Sequence, residues 1–242
     1  MNPPNNRHKE NSMLCDRCGT CCRKGGPTLQ AEDIPLVETV IPLTSLVTLR
    51  RGEIVYDNLK QKLTCQSSES VKISGTGEKA FPWHCVFHTD AGLCSIHENR
   101  PLQCRALSCK DTNPLEMLYA RGQITRSDIL VSLDSRPGWS ELVSAHEESC
   151  AAEKCIQLAR ILLHAESQAE RDDAAGELGA LIRSDAAFRE LSVQKAGILP
   201  EALPFLYGRP MTEILRGTGL AAECADGGKI RFTASGSEVD LS

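Results

Sequence analysis

Apolar and polar positions change rhythm twice along the chain. The stretch "SLVTLRRGEIVYDNLKQKLTCQ" alternates, which predicts short strands. Ahead of it, "AEDIPLVETVI" predicts a short helix broken around Pro35 and Pro42. Behind it, "SESVKISGTGEKAFPWHC" carries a Gly75–Gly77 turn and reads as a hairpin or loop. From Asn113 onward the period becomes helical, with Asn113 as cap and Pro114 in the first turn of "NPLEMLYARGQ". "TRSDILVSL" is a second helix. The longest is "GWSELVSAHEESCAAEKCIQLARILLHAESQ", where Trp139, Leu142, Val143, His146 and Cys150 recur at helical spacing. "AERDDAAGELGALIRSDAAFRELSVQK" predicts acidic helix in two pieces, and "LPEALPFLYGRPMTEILRG" a Pro-punctuated helical segment. The last stretch, "AECADGGKIRFTASGSEVDLS", is expected to be a short hairpin or a disordered tail. No repeat or heptad pattern accompanies these elements.

Composition narrows the function classes. The 242 residues are 41% hydrophobic but only 4% aromatic, so the core must rest on Leu, Ile, Val and Ala. A net charge of -5 argues against a general nucleic-acid binder. The start, "MNPPNNRHKENSM", has no apolar core of a secretory signal, and no apolar run is long enough to span a bilayer. A cytoplasmic protein without nucleic-acid or membrane partners is therefore expected. Twelve cysteines in a reducing compartment point to metal or redox chemistry rather than disulfides.

The cysteines are clustered. Cys15, Cys18, Cys21 and Cys22 lie in "LCDRCGTCCRKGG", and Cys85, Cys94, Cys104 and Cys109 in "PWHCVFHTDAGLCSIHENRPLQCRALSCK". Two residues between cysteines let the chain turn so that two sulfurs approach one metal. Gly19 and the Gly25–Gly26 pair permit the dihedrals of such a turn and let backbone N–H groups face sulfur. Cys21 and Cys22 are adjacent. In extended backbone they would point to opposite sides and so reach two metals, or two irons of one cluster. Arg17, Arg23 and Lys24 interleave with the first cluster, and Arg100, Arg105 and Lys110 with the second, where cations favour thiolate. The second spacing departs from zinc-finger and ferredoxin patterns.

The pattern "CDRCGTCC" followed by "LCSIHENRPLQCRALSC" resembles the CxxCxxCC cysteine-cluster family, the YkgJ type of zinc- or iron-chelating domain. Its signature maps onto the eight clustered cysteines, with Gly19, Arg100, Pro101 and Arg105 around them. The resemblance covers roughly Cys15 to Cys109 and implies metal binding. A looser similarity to flagellin lysine methylase, which carries an iron–sulfur cluster, favours iron–sulfur over zinc. The resulting expectation is an α+β, mainly α protein. Residues 1–13 would be disordered, 14–112 a small cysteine-rich metal-bound domain with a β element, 113–220 a helical domain and 221–242 a polar tail. The cofactor would be an iron–sulfur cluster of the 4Fe–4S kind, with Zn2+ the alternative. Arg100 and Arg105 would tune the centre or hold substrate anions.

Other residues invite weaker readings. His84, His88 and His97 flank the second cluster and are read as outer or surface histidines, enough thiols being at hand. His146 and Cys150 share a helix face and are read as core, with the alternative that His146, Cys150 or Cys155 completes a site. Cys65 and Cys224 are read as plain core or surface cysteines. Glu170, Asp172 and Asp173 are read as a solvated face. No Walker loop, Rossmann fingerprint, HExxH, serine elbow or CxxxCxxC is present. Function then divides between an iron–sulfur protein in redox chemistry or modification of a peptide or protein partner, a zinc-stabilised binding module, and metal delivery.

Overall fold

The computed structural model describes residues 15, 17–58, 60–109, 111–119, 121, 123–133, 136–224 and 230–234. The N-terminal segment expected to be disordered, the side chain of Cys224, Lys110 and the end of the tail lie outside them. The fold is α+β and mainly α, as the residue pattern predicts.

The alternating stretch forms three strands, β1 (Leu46–Leu49), β2 (Ile54–Asp57) and β3 (Lys62–Cys65), and a fourth, β4 (Ser70–Ile73), opens the stretch expected to be a hairpin or loop. They pair as two antiparallel ribbons, β1 with β4 (Leu46 opposite Ile73) and β2 with β3 (Ile54 opposite Cys65). The expected broken helix is a 3₁₀ turn over Ala31–Leu36 with Pro35 inside it. Its Asp33 is buried and accepts from the backbone N–H of Gln30 at 3.0 Å and of Leu102 at 2.8 Å. Those bonds fix the start of the short helix α2 (Leu102–Ala106) against this turn. Ahead of the strands, Cys21 and Cys22 sit in one helical turn, α1 (Thr20–Lys24).

The helical half begins with α3 (Asn113–Tyr119) and α4 (Arg126–Ser132), the latter capped reciprocally by Thr125 and Asp128. The expected longest helix is two helices, α5 (Trp139–Ser149) and α6 (Ala152–His164). Cys150 breaks it at φ -136°, and its carbonyl, which would continue the ladder, instead accepts from the buried Arg50 guanidinium at 2.9 Å. The acidic stretch expected in two pieces is one 29-residue helix, α7 (Gln168–Ala196), capped by Ser167 and ended by Gly197. Asp185 lies within it, its carboxylate pointing into the core to find partners on α5 and at the first residue of α9. Glu170, Asp172 and Asp173 are exposed. Helices α8 (Leu203–Tyr207) and α9 (Met211–Arg216) follow, and then an antiparallel hairpin of β5 (Leu220–Cys224) and β6 (Ile230–Ala234).

Both cores draw on both ends of the chain. One gathers Leu29, Ile41, Leu46 and Val71 with Ile129, Phe205 and Leu206, and the other joins Ile54 to Cys155, Leu178, Met211 and Ile214. Strand β1 lies against α8, where Thr48 Oγ1 donates to the Phe205 carbonyl at 2.5 Å. Buried charges tie the same seam. Glu53, wholly buried, pairs with Arg50 (3.5 Å) and Arg209 (2.7 Å), and Arg126 pairs with Glu69 (2.8 Å) and Glu147. No helix among the described residues is long and apolar enough to cross a membrane.

Candidate metal centre

The first cysteine loop is folded by two left-handed residues, Arg17 at φ 53° and Gly19 at φ 70°. A Cβ on Gly19 would stand 2.5 Å from His88 Nε2, so the loop needs glycine for both its backbone and this contact. The turn brings the Arg17 backbone N–H to 3.4 Å from Cys15 Sγ and the Cys18 thiol to 3.3 Å from Thr20 Oγ1. Hydrogen bonding to Thr20 holds the exposed Cys18 thiol below its ordinary pKa.

The two adjacent cysteines depart from the extended-chain reading. Their backbone is helical, and Cys21 Sγ lies 3.9 Å from Cys22 Sγ. Four sulfurs held at about 2.3 Å around one tetrahedral ion stand about 3.8 Å apart, so this pair has the spacing of two ligands on one metal. The Sγ–Sγ hydrogen bond, in which either thiol can donate, draws Cys21 down to about 6, and the same bond together with burial pushes Cys22 up.

The second cluster is stitched to the first by backbone. The N–H of Cys85 donates to the Cys22 carbonyl at 2.9 Å, and an isolated bridge pairs His88 with Cys94. Cys104 is carried on α2, whose Gln103 accepts from the Thr28 N–H at 3.0 Å. Burial pushes the Cys85 and Cys104 thiols up. Cys109 lies near Cys18. All eight cysteines line one open cavity of about 1100 Å³. The structure thus brings Cys15, Cys18, Cys21, Cys22, Cys85, Cys94, Cys104 and Cys109 to a single wall. It does not draw any three of their sulfurs within 4.8 Å of one another.

The predicted arginines separate. Arg100 lines the cavity, with its Nε donating to the His97 carbonyl at 2.8 Å. Arg105 turns outward and stands 4.0 Å from Asp33, outside the cavity wall. Lys72 takes a place that the sequence reading did not give it. It projects from β4 into the cavity with its ammonium 5.1 Å from the centre of the Trp83 ring, and burial lowers it to about 8. Its signal in the sequence is a lone lysine between Val71 and Ile73. His88 and His97 also line the cavity, each with a buried Nε2 that has no hydrogen-bond partner.

The donor set suits a thiophilic ion. Thiolate and imidazole ligands, nearby cations and unpartnered buried ring nitrogens are what zinc or iron would satisfy. The remaining cysteines lie elsewhere. Cys65 is exposed and receives Arg160 Nη2 at 3.5 Å, while burial pushes Cys150 and Cys155 up to about 11 and about 12 in the second core.

In that core, His146, Cys150 and Asp185 offer ligand atoms within 4.8 Å of one another, all buried. Here the carboxylate is already satisfied. Asp185 accepts from His146 Nε2 (2.8 Å), twice from Arg189 Nε (3.0 Å) and from the Met211 N–H (3.1 Å). Burial alone would raise Asp185, but these partners hold it at about 2, while burial lowers His146. The trio ties α5, α7 and α9 together as a neutral imidazole, a thiol and a paired carboxylate.

Among known proteins, residues 14–121 match one family model, CxxCxxCC, described as "Putative zinc- or iron-chelating domain". No curated protein and no solved structure matches the chain.

Proposed function

We propose, from the membership of residues 14–121 in the CxxCxxCC zinc- or iron-chelating family, that the cysteine cavity holds an iron–sulfur centre. The centre would serve redox chemistry or modification of a peptide or protein partner in the cytoplasm. The observation that carries the reading is the single open cavity lined by all eight cysteines. Structural zinc sites are closed four-ligand knots, whereas a shared, accessible thiol wall suits a larger centre with room beside it. When bound, such a centre supplies one-electron chemistry.

The chain's own residues would do the rest. Cys21, whose pKa is lowered by its hydrogen bond to Cys22, is the sulfur most readily available as a ligand. Arg100 and Lys72 offset the negative charge that several thiolates create. The loop that carries Cys85 and Cys94 exposes Phe81, Trp83, Val86 and Leu93, apolar side chains suited to a peptide.

A second reading, one tetrahedral zinc or iron ion, is favoured by the 3.9 Å Cys21–Cys22 separation. Absorption and elemental analysis of protein purified without oxygen distinguish the two. Iron and acid-labile sulfide in comparable amounts, with a brown colour, support the iron–sulfur centre. Colourless protein with stoichiometric zinc sinks it and leaves the tetrahedral ion.

A further inference from the structure

Eight thiols do not account for every ligand-grade atom in the cavity. His88 Nδ1 lies 2.6 Å from His84 Nε2, so one ring N–H is shared between these two side chains. The other nitrogen, His88 Nε2, is buried and has no partner, and His88 lines the cavity whereas His84 does not. It rests against Gly19, in the middle of the loop that presents Cys18 and Cys21. Leaving a buried polar atom unpaired costs about 1–3 kcal/mol, so such atoms are retained where something binds them.

Metal-ligating imidazoles share this arrangement. One nitrogen is anchored by a hydrogen bond that fixes ring and tautomer, and the other turns a lone pair to the ion. With His88 Nδ1–H donating to His84, the lone pair on His88 Nε2 is directed at the cysteine loop. His97 is a poorer match. Its Nδ1 stands between Arg17 Nη2 at 3.3 Å, a donor, and Glu98 Oε1 at 3.2 Å, an acceptor, so neither tautomer is selected.

We propose that His88 ligates the metal of this site through Nε2, with His84 as its positioning residue, making the centre mixed cysteine–histidine. The inference rests on the reading that the cavity binds metal. It also gives Gly19 a second reason to be glycine, since any side chain there would displace the imidazole from the loop.

The test uses the full chain loaded anaerobically with Co2+ alone, with histidine ring nitrogens labelled by 15N. Metal stoichiometry, thiolate-to-cobalt charge-transfer absorption and electron–nuclear coupling to nitrogen are read together. The expected result is one directly coupled imidazole nitrogen, kept in His97→Gln and lost in His88→Gln, with affinity in His88→Gln lowered at least about tenfold. His84→Gln should keep the coupling while binding the ion more weakly. Cobalt bound with thiolate bands but no nitrogen coupling in the unsubstituted protein overturns the histidine ligand and leaves the metal site standing. The same holds if the coupling persists in His88→Gln. No bound cobalt and no thiolate band overturns the metal reading itself. Because the decisive coupling is read on the unsubstituted chain, misfolding of a variant does not blur the outcome.

Discussion

Two regions of this protein hold the same kinds of side chain in opposite conditions. In the second core, His146, Cys150 and Asp185 offer ligand atoms within 4.8 Å of one another, yet hydrogen bonds from α7 and from the first backbone N–H of α9 already serve the carboxylate. Around the cavity, eight cysteines and His88 are brought to one wall, and the buried imidazole nitrogen is left without a partner. Each region keeps a buried ring nitrogen unpaired, His146 Nδ1 in the first and His88 Nε2 in the second, but the first lies in a trio whose carboxylate is fully served and the second beside eight cysteines on an open cavity. A trio whose charged member is already paired stabilises a fold, whereas open thiols around an unpaired imidazole are suited to receive a ligand.

The comparison breaks most sharply at Asp185. Asp185→Ala leaves Arg189 without its buried partner, and an uncompensated buried charge costs roughly 3–5 kcal/mol. Urea denaturation should show that loss while metal content per folded chain stays unchanged. Next comes Cys22→Ser, which should leave the metal-free stability nearly as it was. It should weaken metal binding at least about a hundredfold, since loss of supporting partners alone reaches about 10–100-fold. Competition with a coloured chelator measures it. If Cys22→Ser left affinity untouched, the pairing of Cys21 and Cys22 on one ion would be wrong.

Acid should sharpen the contrast further. Burial holds His146 below its ordinary pKa, so the folded chain keeps it neutral while the unfolded chain protonates it near about 6.5. The unfolded state then binds more protons, and stability falls as pH drops through that range. The contribution of Asp185, held at about 2, is full above its unfolded value of about 3.9 and is lost as pH falls toward about 2. Denaturation midpoints of the metal-free protein should therefore decline in two stages, and His146→Gln should remove the first. The smallest effect belongs to Cys65→Ala. This exposed residue should change stability by no more than about 0.5 kcal/mol, with metal content unaltered.

Much of this was legible in the residues, and the failures have physical causes. Strands β1 to β3 follow from alternation, and the cysteine motif marks the cavity wall because the ligands are themselves the signal. The break at Cys150 was invisible locally, since the group that stabilises it is Arg50, 100 residues away in sequence. The unity of α7 was hidden for a similar reason: the buried Asp185 in its middle finds partners on other helices. Cys21 and Cys22 were read as divergent on the premise of extended backbone, and one turn of helix removes that premise. His88 was discounted because thiols were plentiful. Only the fold shows which of its nitrogens is anchored and which is free.

The central claim is that the eight cysteines of the cavity act together as a metal wall while the other thiols do not. Native alkylation with mass mapping, on protein prepared without oxygen and compared before and after chelator, tests it directly. Cys15, Cys18, Cys21, Cys22, Cys85, Cys94, Cys104 and Cys109 should be protected with metal and react once it is stripped. Cys65 should react in both states, and Cys150 and Cys155 in neither until the chain unfolds. Equal labelling of the eight cysteines with and without metal would contradict the account.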